Sequence, residues 1–182
     1  MTRILMIRHG KAAASFTDDL DPGLDATGQA QARRLAERLR AELPLRLISS
    51  PLRRALETAQ PLSAFQPGEI HVDSRVSEIP SPGLSLNERG PWLRGVMTST
   101  WSEQADDLKQ WRENLIQCLI SQADNCAIFS HFVAINVVTG YAEGDDRVTL
   151  FRPDNTSITE LVTDGSSLRI VQRGEEAITP VN

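Results

Sequence analysis

The chain opens on a short unbroken apolar run, Ile4-Leu5-Met6-Ile7. A run this short cannot make a helix, so Arg3 to Arg8 reads as a strand buried on both faces. Lys11 to Gly23 is a polar loop rich in aspartate. Asp25 stands where an N-cap is expected, and Leu35, Ala36, Leu39 and Leu43 follow at helical spacing until Pro44 stops the helix. Leu45 to Ser49 is a second short strand. Ser50 is then placed to cap a helix with Pro51 in its first position and Leu52, Ala55, Leu56 and Ala59 as its apolar stripe. Pro61 is expected to end or kink that helix. Ile70 to Val72 reads as a weak third strand.

The periodicity then breaks down. From about 79 to 104, Pro80, Pro82, Gly83, Gly90 and Pro91 punctuate the pattern, and Trp92 and Trp101 stand among polar residues. This segment is predicted to be an irregular, cap-like excursion of the kind that is often functional, with the two tryptophans as its packing residues. Order returns with Leu108, Trp111, Leu115, Ile116, Leu119 and Ile120, the face of an amphipathic helix. Cys126 to Ser130 predicts a strand, and Phe132 to Thr139 a short apolar helix with Gly140 past its end. Ile158–Thr163 and Leu168–Gln172 flank Asp164-Gly165, a hairpin turn.

Strands alternating with helices predict an α/β fold with a mostly parallel sheet in a single domain over 1–182. In such sheets ligands bind beyond the carboxyl ends of the strands. Arg8-His9-Gly10 lies at one such end, the Ser49-Ser50 junction at another and His131 at a third. An arginine there offers a fork of N–H donors to a phosphate, and a histidine can act as a nucleophile. The glycine is expected to let backbone approach the ligand. Arg53 and Arg54 fall in the first turn of the second helix, where free N–H groups already favour anions.

Composition narrows the classes. The hydrophobic fraction is 40% and the charged fraction 24%, ordinary for a soluble domain. A net charge of −5 argues against a nucleic-acid or anionic-membrane surface. Cys118 and Cys126 sit in apolar surroundings and read as reduced core thiols. With no signal-peptide pattern and no bilayer-length apolar run, a cytoplasmic location is expected. His71, the third histidine, is placed on the surface.

Taken together, these motifs resemble the histidine phosphatase superfamily, which includes phosphoglycerate mutases and acid phosphatases. The likeness runs from Ile4 to about Leu161. It rests on Arg8-His9-Gly10, Leu24-Asp25-Ala26-Thr27-Gly28 with Gln31-Ala32, Ser50-Pro51-Leu52 with Arg54-Ala55 and Thr58-Ala59, Glu78, Ser130-His131 and Asn155-Thr156-Ser157-Ile158. The resemblance implies a three-layer α/β/α sandwich of the phosphoglycerate mutase-like kind with a small irregular cap. It also implies that His9 carries a transient phosphoryl group, that Arg8, Arg54 and His131 bind the phosphoryl oxygens, and that Glu78 is the proton donor, with Asp19 in reserve. Neither metal nor cofactor is implied.

Lys11, a further pocket candidate, follows the Arg-His-Gly where mutases carry another polar residue, and 12–16 contain no asparagine. The resemblance is therefore to the small phosphatases. The expected activity is hydrolysis of a phosphomonoester, from a small metabolite or a phosphoprotein. A mutase-type phosphotransferase and a non-catalytic phospholigand-binding protein are the alternatives. Oligomeric state is not legible.

Overall fold

The computed structural model describes residues 1–15 and 18–178; two residues of the polar loop, 16 and 17, lie outside that set. The chain order is β1 (Thr2–Arg8), α1 (Ala26–Leu39), β2 (Arg46–Ser49), α2 (Arg53–Ser63), β3 (His71–Val72), α3 (Leu86–Met97), α4 (Asp106–Ile120), β4 (Cys126–Ser130), α5 (Phe132–Glu143), β5 (Ile158–Thr163) and β6 (Leu168–Gln172). One sheet carries all six strands in the order β3-β2-β4-β1-β5-β6. The first four are mutually parallel, while β5 runs antiparallel to β1 and β6 to β5.

The alternation of β1 divides the core into two layers. Ile4 and Met6 pack with Ile48, Ile128 and the buried faces of α4 and α5. Leu5 and Ile7 pack on the opposite face with α1 and α2 through Leu35, Ala36, Ala55 and Ala59. The sandwich therefore follows from a central strand whose residues Ile4 to Ile7 are all apolar and buried, so that both its faces need a covering layer. Among the described residues no helix is long and apolar enough to cross a membrane.

Asp25 caps α1 as expected, accepting the Gly28 N–H at 2.7 Å. The Asp164-Gly165 turn joins β5 and β6, with Gly165 at φ 89°. Elsewhere the boundaries differ. α2 starts at Arg53 rather than Pro51, with Leu52 as its uncapped N-cap. Ser50 does not cap it; its hydroxyl accepts the Leu52 N–H and meets His131. Pro61 is accommodated inside α2, which runs on to Ser63. α5 passes Gly140 and ends at Gly144, which takes the left-handed conformation. Gly140 is a packing position: a Cβ there would lie 2.9 Å from the Asp145 carbonyl oxygen.

The largest departure is in 79–104. The segment is not irregular throughout, because α3 occupies twelve of its residues despite an internal Pro91. Pro91 sits in the second turn, where it removes one intrahelical hydrogen bond. The helix start is secured by Glu88, whose carboxylate accepts from both the backbone N–H (2.9 Å) and the hydroxyl (2.6 Å) of Ser85. Trp101 is buried against Trp111, ring centroids 6.0 Å apart, and Trp92 packs at the edge of the same core.

Candidate active site

The parallel strands end level with one another. Arg8 is paired with Ser130, and Ser49 with Phe129. The ladder continues one step further, with His9 N–H on the Ser130 carbonyl and Ser50 N–H on that of Phe129, both at 3.0 Å. His9, Ser50 and His131 therefore leave the sheet along one edge. From the β5 side, the Asn155 side-chain amide donates to the His9 carbonyl at 2.9 Å, and the Thr156 N–H to that of Arg8 at 3.0 Å.

The His9 ring is held in one tautomer. Its Nδ1 lies 2.7 Å from the Gly10 carbonyl oxygen, so this nitrogen carries the proton and donates it. Nε2 is left with a lone pair, which accepts from Arg54 Nε at 3.1 Å. Burial, reinforced by the positive charges of Arg54 and Arg8, holds the His9 pKa well below the ordinary 6.5. The ring is therefore neutral at physiological pH, the form a nucleophile needs.

Arg54 is 8% exposed, while Arg53 points outward to Glu57 at 3.4 Å. The helix register thus sends only the second of the two arginines to His9. Arg8 donates from Nη1 to the Pro153 carbonyl at 2.8 Å and lies over the Phe132 ring, 5.4 Å from its centroid. Burial lowers its pKa to about 10, which still leaves it charged at neutral pH.

His131 stands beside His9, ring centroids 5.2 Å apart. Its Nε2 lies 2.8 Å from Ser50 Oγ, and its buried Nδ1 has no hydrogen-bond partner among the described residues. Burial, then Arg54, pushes its pKa down as well.

Glu78 accepts the Ile79 N–H at 2.9 Å and the Val133 N–H at 3.2 and 3.3 Å on its two oxygens. Its pKa is nevertheless raised from 4.5, because burial outweighs these bonds and the pull of Arg54 and Arg8. A carboxyl group shifted in this direction is suited to deliver a proton.

A cavity of about 660 Å³ opens over this edge, with Arg8, His9, Arg54 and Glu78 in its wall. His131 is completely buried beside them and does not line it. Asp19 lies on the wall further out. Lys11 does not: its ammonium sits 3.4 Å from Asp25, outside the cavity. His71 is exposed on β3, and neither Trp92 nor Trp101 reaches the cavity.

Gly10 has a packing reason as well. A Cβ on it would lie 2.8 Å from the Gly28 carbonyl oxygen, so the start of α1 requires its bare Cα. Among the described residues no group of three potential ligands is placed to hold a metal ion.

Sequence reasoning did not place four residues that line the cavity or support its wall. Ser50 was read as a helix cap. Thr58, which takes the Gly10 N–H at 2.9 Å, was read only as part of a motif. Arg94 and Arg152, both on the cavity wall, lay in segments without a usable pattern. For Arg94 a signal existed, since Ser85-Leu86-Asn87-Glu88 has the spacing of a capping box and announces the helix that carries it.

Fold and site together define an α/β domain that presents a neutral imidazole between two guanidinium groups at the carboxyl edge of its sheet. The chain belongs to the histidine phosphatase superfamily (branch 1), whose family model matches residues 4–176. Over 80 residues it is 38% identical to a glucosyl-3-phosphoglycerate phosphatase of Mycolicibacterium vanbaalenii, covering 42% of this chain and 36% of that protein. Over 117 residues it is 26% identical to phosphoserine phosphatase 1 of Hydrogenobacter thermophilus, covering 62% and 52%. The chain thus spans about a third to a half of the length of these curated relatives.

Among solved structures, an Entamoeba histolytica phosphoserine phosphatase in complex with 3-phosphoglyceric acid superposes with a TM-score of 0.75 at 21% identity, over 96% of this chain and 98% of that one. A mycobacterial glucosyl-3-phosphoglycerate phosphatase gives 0.73 at 23%, over 97% and 100%. At such identities the likeness is one of fold, and it extends over nearly the whole chain.

Proposed function

We propose that this protein hydrolyses phosphomonoesters in two steps through a phosphohistidine on His9. The observation that carries the reading is the His9 ring itself, tied at Nδ1 to Gly10 and presenting the Nε2 lone pair beside Arg54. In the first step Nε2 attacks phosphorus, and the bond from phosphorus to the leaving oxygen breaks. Arg54 turns its N–H from the lone pair to the phosphoryl oxygens, where Arg8 also binds. Catalysis of this kind depends on fixed positive charge around the equatorial oxygens. His131 is the third donor: with Ser50 Oγ–H donating to its Nε2, the otherwise unpartnered Nδ1 carries the proton, and a phosphoryl group carried on His9, whose ring centroid is 5.2 Å away, comes within its reach. Glu78 delivers its proton to the leaving oxygen. In the second step the Glu78 carboxylate takes a proton from water, whose oxygen attacks phosphorus. His9 is released neutral, together with orthophosphate.

The relatives' names, glucosyl-3-phosphoglycerate phosphatase and phosphoserine phosphatase, support a small phosphorylated metabolite as substrate and hydrolysis over mutase chemistry. Two buried, unpaired thiols, Cys118 and Cys126, support a reducing, cytoplasmic setting. The test is orthophosphate release from 4-nitrophenyl phosphate in chelator-treated buffer, followed by rapid quenching. An acid-labile phosphoryl group should be trapped on His9 and be absent from His9→Ala. No release of phosphate, or label on another residue, overturns the reading.

A further inference from the structure

The cavity holds more than the reaction just described needs. Its volume of about 660 Å³ falls in the range of roughly 300–1,000 Å³ that encloses a whole small molecule. Arg8, His9, Arg54 and Glu78 occupy only its inner end. Away from them the wall is apolar in Leu20, Leu93 and Met97, and it carries two further cations, Arg94 and Arg152.

Among the described residues, seven arginines outside the cavity pair with acids, Arg40 with Glu37 at 3.9 Å among them. Arg3, Arg38, Arg53, Arg75, Arg147 and Arg173 each meet a carboxylate. Among the described residues, neither Arg94 nor Arg152 has a carboxylate within 4.0 Å or a side-chain hydrogen bond. In a chain of net charge −5, acidic partners are not scarce. Arg94 shares one face of α3 with Gly90, Leu93 and Met97, the positions i, i+3 and i+4 or i+7 that turn toward the cavity. Arg152 precedes Pro153, whose carbonyl holds Arg8, so it stands next to the phosphoryl end.

Among the described residues, the only acids on the wall are Glu78 and Asp19. Burial shifts Glu78 toward its neutral form, and Asp19 accepts the Asp21 N–H at 3.1 Å. Neither ion-pairs with the two arginines.

We infer that the substrate is a small phosphomonoester whose leaving group has a carbon body and a second anionic group, and that Arg94 and Arg152 select it by binding that group. The inference rests on the phosphatase reading above. Carboxylate and phosphate share the required chemistry, so the test includes both.

Turnover is compared on phenyl phosphate, 3-carboxyphenyl phosphate and 1,3-phenylene bisphosphate. The wild-type protein should favour an anionic ester over phenyl phosphate by about tenfold in kcat/KM, mainly through KM, as a charge-assisted hydrogen bond does. That preference should shrink in Arg94→Met and in Arg152→Met, and vanish in the double variant. It should also weaken with added salt. Whichever anionic ester leads identifies the group.

A wild type without preference, or a preference that survives in the double variant, overturns the inference. If none of the esters is turned over, the phosphatase reading has failed instead. Calorimetric binding of phenylphosphonate against 3-carboxyphenylphosphonate then still decides the role of the arginines, by the same difference between wild type and double variant.

Discussion

The inner and outer ends of the cavity are built differently. The inner end grows out of β1, β2 and β4, whose last residues are locked by ladder hydrogen bonds and whose faces are buried on both sides. His9 and Arg54 are fixed there to within one hydrogen bond of each other. The outer end hangs on α3, which buries only Arg89, Gly90 and Val96 of its twelve residues. The contrast teaches where each task can live. Positioning charge around phosphorus tolerates little misplacement and needs a rigid frame. Choosing a leaving group needs only a wall of suitable chemistry, which a peripheral helix can supply. Substitutions at the inner end should therefore act on kcat for every substrate, and those at the outer end on KM for particular ones.

The largest effect should come from His9→Ala. Without Nε2 no phosphoryl group can be carried, so turnover should fall below detection while the circular dichroism spectrum is retained. Residual turnover through a covalent intermediate would break the comparison at its strongest point. Arg54→Ala should follow, losing about 10²–10³ in kcat on all substrates, the usual cost of one lost transition-state donor. Arg53→Ala, which loses an exposed contact to Glu57, should stay within about twofold. The reverse ranking would mean that α2 presents its other face in solution.

The inner end was legible in the sequence because each part has a local signature. A buried strand too short to be a helix, followed by Arg-His-Gly, fixes its own place at a sheet edge, and so does Ser130-His131. The choice of Arg54 over Arg53 needed the family resemblance, since both precede the same apolar stripe. The hydrogen bond of Ser50 to His131 was not legible, because it joins residues 81 positions apart. The outer end was misread for a different reason. Gly90 and Pro91 are both poor helix formers, and they outweighed the capping box at Ser85 that decides the local structure. Arg152 belongs to a segment placed by tertiary contacts alone, among them the Pro153 carbonyl to Arg8.

Glu78 belongs to the inner end, but as the proton donor it is the exception there: its effect on kcat should depend on how much the leaving oxygen needs a proton. Glu78→Gln should lose about 10² in kcat on an alkyl phosphate, whose leaving oxygen needs a proton, and much less on 4-nitrophenyl phosphate. Equal losses on both would move the acid role to Asp19. The pH dependence has a defined sign. Because the folded pKa lies above 4.5, the native state holds a proton that the unfolded chain has released once pH exceeds 4.5. Stability from this group is therefore undiminished below 4.5 and is lost as pH rises through the folded value. Relative to wild type, Glu78→Gln should gain stability over that rise. In activity, the alkaline limb on alkyl phosphates should flatten in the variant, while the acid limb, set by the depressed pKa of His9, should remain.

A small effect, and the sharpest probe of the outer end, is expected from Glu88→Ala. Glu88 is remote from the chemistry and exposed, but its carboxylate takes both donors of Ser85 at the start of α3. Losing that acceptor and its negative charge at a helix N-terminus should fray the first turn. The face carrying Leu93 and Arg94 would then be ordered for less of the time. KM should rise by about two- to fivefold for an ester with a second anionic group, with kcat changed by less. Phenyl phosphate, lacking that group, should show a smaller rise in KM. The thermal midpoint should hardly move, since α3 contributes little to either core layer. A fall in kcat comparable to that of Arg54→Ala would place α3 in the chemical machinery and dissolve the distinction between the two ends.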